Sequence, residues 1–96
     1  MSMIASRIKD LGIELPNAAS PAANYIPFVM SGNQVVISGQ IPFWNGELVG
    51  LGKLGSNLTV EEGVKIARVC ALNLLAQLQV ASGGDLDRVS RVVKLG

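Results

Sequence analysis

The sequence predicts an α+β fold in a single domain spanning residues 1–96. Three observations carry that prediction: short β-rich runs flanking turn signals, one long capped amphipathic helix, and a valine-rich segment after it. Each element follows from its residues in chain order.

Met3, Ile4, Ile8 and Leu11 recur at near-helical spacing and Gly12 follows as a stop, which predicts a short N-terminal helix. Residues 15–24 hold Pro16, Pro21 and mostly small side chains, so residues 1–24 form a helix and an extended lead-in that wraps the surface. Residues 26–30 and 34–38 are rich in β-branched and aromatic side chains. They flank Ser31-Gly32-Asn33, a positive-φ turn signal, and predict two antiparallel strands. Asn45-Gly46 is a second turn signal, but Pro42 argues against a regular central strand, so residues 41–49 are expected to be an irregular loop bordering something.

The helix expected over residues 60–81 opens at Thr59, with Glu62 three residues on completing a capping box. Val64, Ala67, Ala71, Leu74, Leu75 and Leu78 form its expected buried face, with Glu61, Lys65, Arg68 and Gln79 largely off that stripe. Ser82-Gly83-Gly84 ends it where a left-handed cap falls. In the tail, Leu86, Val89, Val92 and Val93 fit a helix, whereas the valine-rich run 89–95 fits a strand. The strand is preferred, because a right-handed crossover from the hairpin through the helix would give that helix more sheet to cover.

The chain is 49% hydrophobic and only 16% charged, with a mean hydropathy of +0.42, so part of its apolar surface is expected to meet a partner. No membrane partner is expected: the longest uncharged apolar stretch, residues 69–82, is interrupted by Asn73, Gln77 and Gln79 and falls short of the roughly 20 residues that span a bilayer. Arg7, Lys9, Asp10 and Glu14 interrupt the N-terminus, which therefore lacks a secretory core, and a cytoplasmic location is expected. Eight basic against seven acidic residues give +1, no footprint for a nucleic-acid partner. With no histidine, every His-dependent triad and His–metal site is excluded, and a single cysteine forms no internal disulfide. No cofactor and no metal are expected.

Most candidate motifs have ordinary explanations. Gly50-Leu51-Gly52-Lys53-Leu54-Gly55 spells a dinucleotide or phosphate loop, but the helix starts later, at Thr59, and Leu54 stands where a magnesium-binding hydroxyl belongs, so the glycines read as flexible or close-packed backbone. Asn57-Leu58-Thr59 is a glycosylation sequon whose Thr59 is better used as a cap. Arg88, Arg91 and Lys94 read as solvated edge charges, Cys70 as a small buried hydrophobe, and Glu61 and Glu62 as partners of the helix dipole. Ser38-Gly39-Gln40-Ile41-Pro42 differs: a strand ends in a hydroxyl, a glycine and a proline, which frees backbone groups to grip a small polar ligand.

That pentapeptide, with Pro21-Ala22-Ala23 and Pro27-Phe28-Val29 before it, resembles the opening of the RidA (YjgF) family, which also carries the older label L-PSP endoribonuclease. The Ala- and Leu-rich helix, Gly84-Asp85-Leu86 and the valine run extend the likeness over residues 15–95. The resemblance implies a chorismate-mutase-like fold, a homotrimer with ligand clefts between protomers, and cofactor-free hydrolysis of 2-imino or enamine acids to keto acids and ammonia. Its alternatives are a non-catalytic trimeric module for a small carboxylate-bearing ligand and, ranked last, an endoribonuclease or RNA binder. Carried onto this chain, the substrate-binding positions are Phe28, which is often tyrosine in the family, together with Ser38, Gly39, Gln40, Ile41 and Pro42. The arginine that clamps the substrate carboxylate and a glutamate that orients water belong to later segments of the family's chain. The resemblance thus covers about its first two thirds, and the domain is expected to be incomplete at the C-terminus.

Overall fold

Two helices, α1 (Met3–Asp10) and α2 (Val60–Ala81), bracket two antiparallel hairpins, β1 (Phe28–Ser31) with β2 (Gln34–Ile37) and β3 (Phe43–Trp44) with β4 (Glu47–Leu48). The computed structural model describes residues 3–18, 26–45 and 47–96, so Pro21-Ala22-Ala23 and most of the expected lead-in lie outside the described residues.

Both helices stop by the same device. Gly12, at φ +70°, donates its N–H to the Lys9 carbonyl at 3.0 Å while Ile13 donates to Ile8 at 3.0 Å. Gly83, at φ +71°, repeats this with Val80 at 3.1 Å, and Gly84 with Gln79 at 2.7 Å. These are Schellman caps, and their left-handed residue is where glycine is needed. At the other end of α2 the expected capping box is present: the Thr59 hydroxyl accepts from the Glu62 N–H at 3.1 Å, and the Glu62 carboxylate accepts from the Thr59 N–H at 3.2 Å.

The first hairpin pairs Phe28 with Ile37, Val29 with Val36, Met30 with Val35 and Ser31 with Gln34. Only the first of its two turn residues, Gly32 at φ +58°, is left-handed, the signature of a type II′ turn. Residues 41–49 correct the expectation of an irregular loop: Phe43 pairs with Leu48 and Trp44 with Glu47 about a turn entered by Asn45 at φ 49°. Pro42 permits this because it precedes β3, where its missing N–H costs no ladder bond and its carbonyl accepts from Val49 at 2.9 Å.

α2 lies across β1, β2 and β3, as a helix covering a sheet should. Its buried face is only partly the expected one: Leu74, Leu75 and Leu78 are half-buried, but the most buried residues lie elsewhere. Asn73, Ala76 and Gln77 are buried, with half-buried Ile66 and Cys70 in line with them, whereas Val64 is 63% exposed and Ala67 and Ala71 are exposed. The helix is apolar on more than one side, and its most buried side is the one on which Asn73 reaches backbone carbonyls of the neighbouring loop.

The tail is also corrected. Leu86–Arg88 forms a 3-10 turn capped by Asp85, and residues 89–96 are irregular and largely exposed. A strand requires a ladder partner, and among the described residues the four strands form two separate two-stranded sheets with none added after α2. The Asp87 carboxylate instead accepts the N–H groups of Met3 and Ile4, fastening the first turn of α1 to the 3-10 turn.

The packing is open. Ala76 and Leu86 are the buried hydrophobic residues among those described, and the accessible surface is 7256 Å² where a compact 10 kDa chain would have about 5,200 Å². The radius of gyration, 14.3 Å, likewise exceeds the ~12.5 Å of a closed domain of this length. By length and composition α2 is long and apolar enough to cross a membrane, at 22 residues and a hydropathy of 1.3, but here it packs on both hairpins.

Candidate functional site

The loop that leaves β2 is built by side chains. Ser38 continues the ladder by donating its N–H to the Pro27 carbonyl at 2.9 Å, and its hydroxyl donates to the Ile26 carbonyl. The Gln40 amide nitrogen donates back to the Ser38 carbonyl at 2.9 Å and reaches that of Gly39 at 3.4 Å. Pro42 then turns the chain tightly, with the Phe43 N–H donating to the Ile41 carbonyl at 2.7 Å.

Asn73, only 1% exposed in the middle of α2, locks this turn from beneath. Its Nδ2 donates to the Ile41 carbonyl at 3.1 Å and to the Phe43 carbonyl at 2.7 Å. Both neighbours are acceptors, which sets the amide's orientation. Its Oδ1 is buried and finds no donor among the described residues. Two hydrogen bonds contribute about 1–3 kcal/mol together, and one buried unsatisfied carbonyl costs about 1–3 kcal/mol, so Asn73 adds little net stability. What it supplies is the shape of the loop.

Ser38, Gly39, Gln40, Ile41 and Pro42 are therefore brought together on one pinned segment. Phe28 is not with them: it pairs with Ile37 on the half-buried, helix-facing side of the hairpin, and strand alternation turns Ser38 to the opposite side with Val36. The remaining motifs have structural uses. In the glycine-rich segment a Cβ on Gly50 would overlap Ile66, and one on Gly63 would overlap Leu54, so this loop is packed against α2. The Lys53 carbonyl gathers the N–H groups of Ser56, Asn57 and Leu58 at 2.9–3.2 Å, which brings the chain round to Thr59. Arg88 donates to the Ser82 carbonyl at 3.3 Å, at the end of α2. Burial pushes the half-buried Cys70 thiol up, against a smaller opposing pull from a backbone hydrogen bond, which keeps it from being an activated nucleophile.

Away from this loop, a cleft of about 190 Å³ lies between α1 and the end of α2, lined by Ala5, Ile8, Leu15, Gln79, Gly84 and Leu86, none of them ionisable. Two structurally important residues were not singled out by sequence. Asn73 looks like a polar interruption of an apolar run, although an amide centred on a core helix is itself a signal. Asp87 carries no local sign of the α1 turn it caps from 84 positions away.

Comparison with known proteins agrees with this architecture. Residues 5–96 match the family described as "YjgF/chorismate mutase-like, putative endoribonuclease". The chain is 51% identical over 92 residues to "Protein TCP17" of Trypanosoma cruzi, covering 96% of this chain and 57% of that protein. A crystal structure titled as a "putative endoribonuclease" from Shewanella oneidensis superposes with a TM-score of 0.85 at 40% identity, over 92% of this chain and 58% of the other. An Agrobacterium tumefaciens protein, described as of unknown function, superposes with a TM-score of 0.79 at 40% identity, over 94% and 54%. The chain thus spans little more than half the length of these relatives. Its α+β, chorismate-mutase-like fold and the sequence match together show that it belongs to the YjgF/chorismate mutase-like family.

Proposed function

We propose that the protein is a RidA-type enamine/imine deaminase that works as a homotrimer, with residues 38–42 lining a cleft shared with a neighbouring protomer. The observation that carries this reading is the combination of fixity and access in that loop: its backbone is pinned by Ser38, Gln40 and Asn73, yet Gly39 and Ile41 are exposed. Preorganised polar groups at a reachable strand end suit recognition of a small charged substrate.

In the proposed reaction, water adds to the imine carbon of R–C(=NH2⁺)–COO⁻. The C–N bond of the resulting carbinolamine then breaks, giving R–C(=O)–COO⁻ and NH4⁺. An enamine enters as its imine tautomer. The Ser38 proton is committed to the Ile26 carbonyl, which is no base, so Ser38 does not act as a nucleophile. Its oxygen still accepts, and can take a hydrogen bond from water or from the iminium N–H. The substrate carboxylate would be held by a cation from a segment outside these 96 residues, by analogy with the family's arginine.

A non-catalytic binder of small carboxylates is the second reading, favoured by Phe28, which lacks a hydroxyl and faces the helix side. The Shewanella relative is described as a "putative endoribonuclease", but a net charge of +1 and 4% aromatic residues give RNA little to hold on this chain. Ammonia release from a freshly generated 2-imino acid is the test, using protein extended to the length of its relatives. Acceleration over buffer is expected. None at all would remove the enzymatic reading, and saturable stabilisation by a 2-keto acid without turnover would put the binder in its place.

A further inference from the structure

We infer that Asn73 is the positioning residue of the ligand site: it touches no ligand itself and acts by holding the Ile41 and Phe43 carbonyls so that residues 38–42 keep their binding shape. The inference deepens the functional reading above and rests on it for the identity of the ligand.

Three observations carry it. The amide is 1% exposed and bonds to carbonyls 30 and 32 residues away, so the contact is tertiary and ties α2 to the candidate loop. It also lies on the most buried side of α2, while apolar Val64 on the other side is 63% exposed. Finally, its Oδ1 is left without a donor among the described residues, so the favourable and unfavourable contributions nearly cancel. Leucine, of similar shape, keeps the packing but leaves the Ile41 and Phe43 carbonyls without the donor that Asn73 supplies. The expected result of that replacement is a loop that swings outward to hydrate its carbonyls, while the hairpins and helix persist.

The test compares protein extended to the length of its relatives, with and without Asn73→Leu, by amide NMR and by titration with 2-oxobutanoate, a stable keto-acid probe. The expected result in the variant is amide exchange at least tenfold faster at Phe43, whose N–H donates to the Ile41 carbonyl, shifted resonances at residues 39–41 and 43, and at least tenfold weaker probe binding. β1–β2 resonances should be unchanged, and the Tm should move by less than about 8 °C. An unchanged loop and unchanged affinity, whatever the Tm does, would overturn the inference. Should the variant not fold, the wild-type side chain decides: slow exchange of the Asn73 amide protons is expected, and exchange as fast as that of an exposed amide overturns the claim. If the wild type ignores 2-oxobutanoate, the functional reading loses its ligand, and the loop measurements alone then support or overturn the role of Asn73.

Discussion

On the side of α2 that meets the hairpins, Asn73 and Gln77 are 1% and 2% exposed, while on the other side Val60 and Val64 are 71% and 63% exposed. The difference shows that the inner face of α2 carries buried amides beside apolar side chains such as Ile66 and Ala76, and that one of those amides meets the backbone carbonyls of the loop. The outer face of the first hairpin tells the same story, with Val29 and Val36 52% and 62% exposed. These faces belong with the roughly 2,000 Å² of surface that the chain exposes beyond that of a closed domain of its mass.

The comparison can be broken at several strengths. Leu86, 3% exposed beneath α1 and the end of α2, is one of the few apolar side chains the fold fully buries. Leu86→Ala should cost about 2–4 kcal/mol and lower the Tm by at least ~10 °C in thermal circular dichroism. Thr59→Ala removes one half of the capping box while leaving both faces of α2 intact, so a loss of about 1 kcal/mol, or ~4–8 °C, is expected. Val64→Ser sits on the bare face and should change stability by less than about 0.5 kcal/mol in dilute protein. A fall as large as that of Leu86→Ala would mean that the apolar face is already covered in solution.

Much of the fold was legible in the sequence because its signals are local. Thr59 and Glu62 mark the start of α2, Gly12 and Gly83 mark the two helix ends, and Ser31-Gly32-Asn33 marks the first turn; each is satisfied within a few residues of itself. The misses are tertiary. The use of Asn73 depends on where the Ile41 and Phe43 carbonyls arrive, and the fate of residues 89–95 depends on whether a sheet edge awaits them, neither of which is written in those segments. The candidate site divides along the same line. The motif from Ser38 to Pro42 is visible as a string, whereas its support by Asn73 and the separation of Phe28 from Ser38 appear only with the strand register in place.

The most direct measurement of the central claim is a 2-oxobutanoate titration of protein extended to the length of its relatives, followed by amide NMR, with the 38–43 loop and the 89–95 tail read in the same spectra. The account predicts saturable shifts at Ser38, Gly39, Gln40, Ile41 and Phe43 and none in the tail. Shifts confined to the tail or to the cleft under α1, with the loop unmoved, would contradict it.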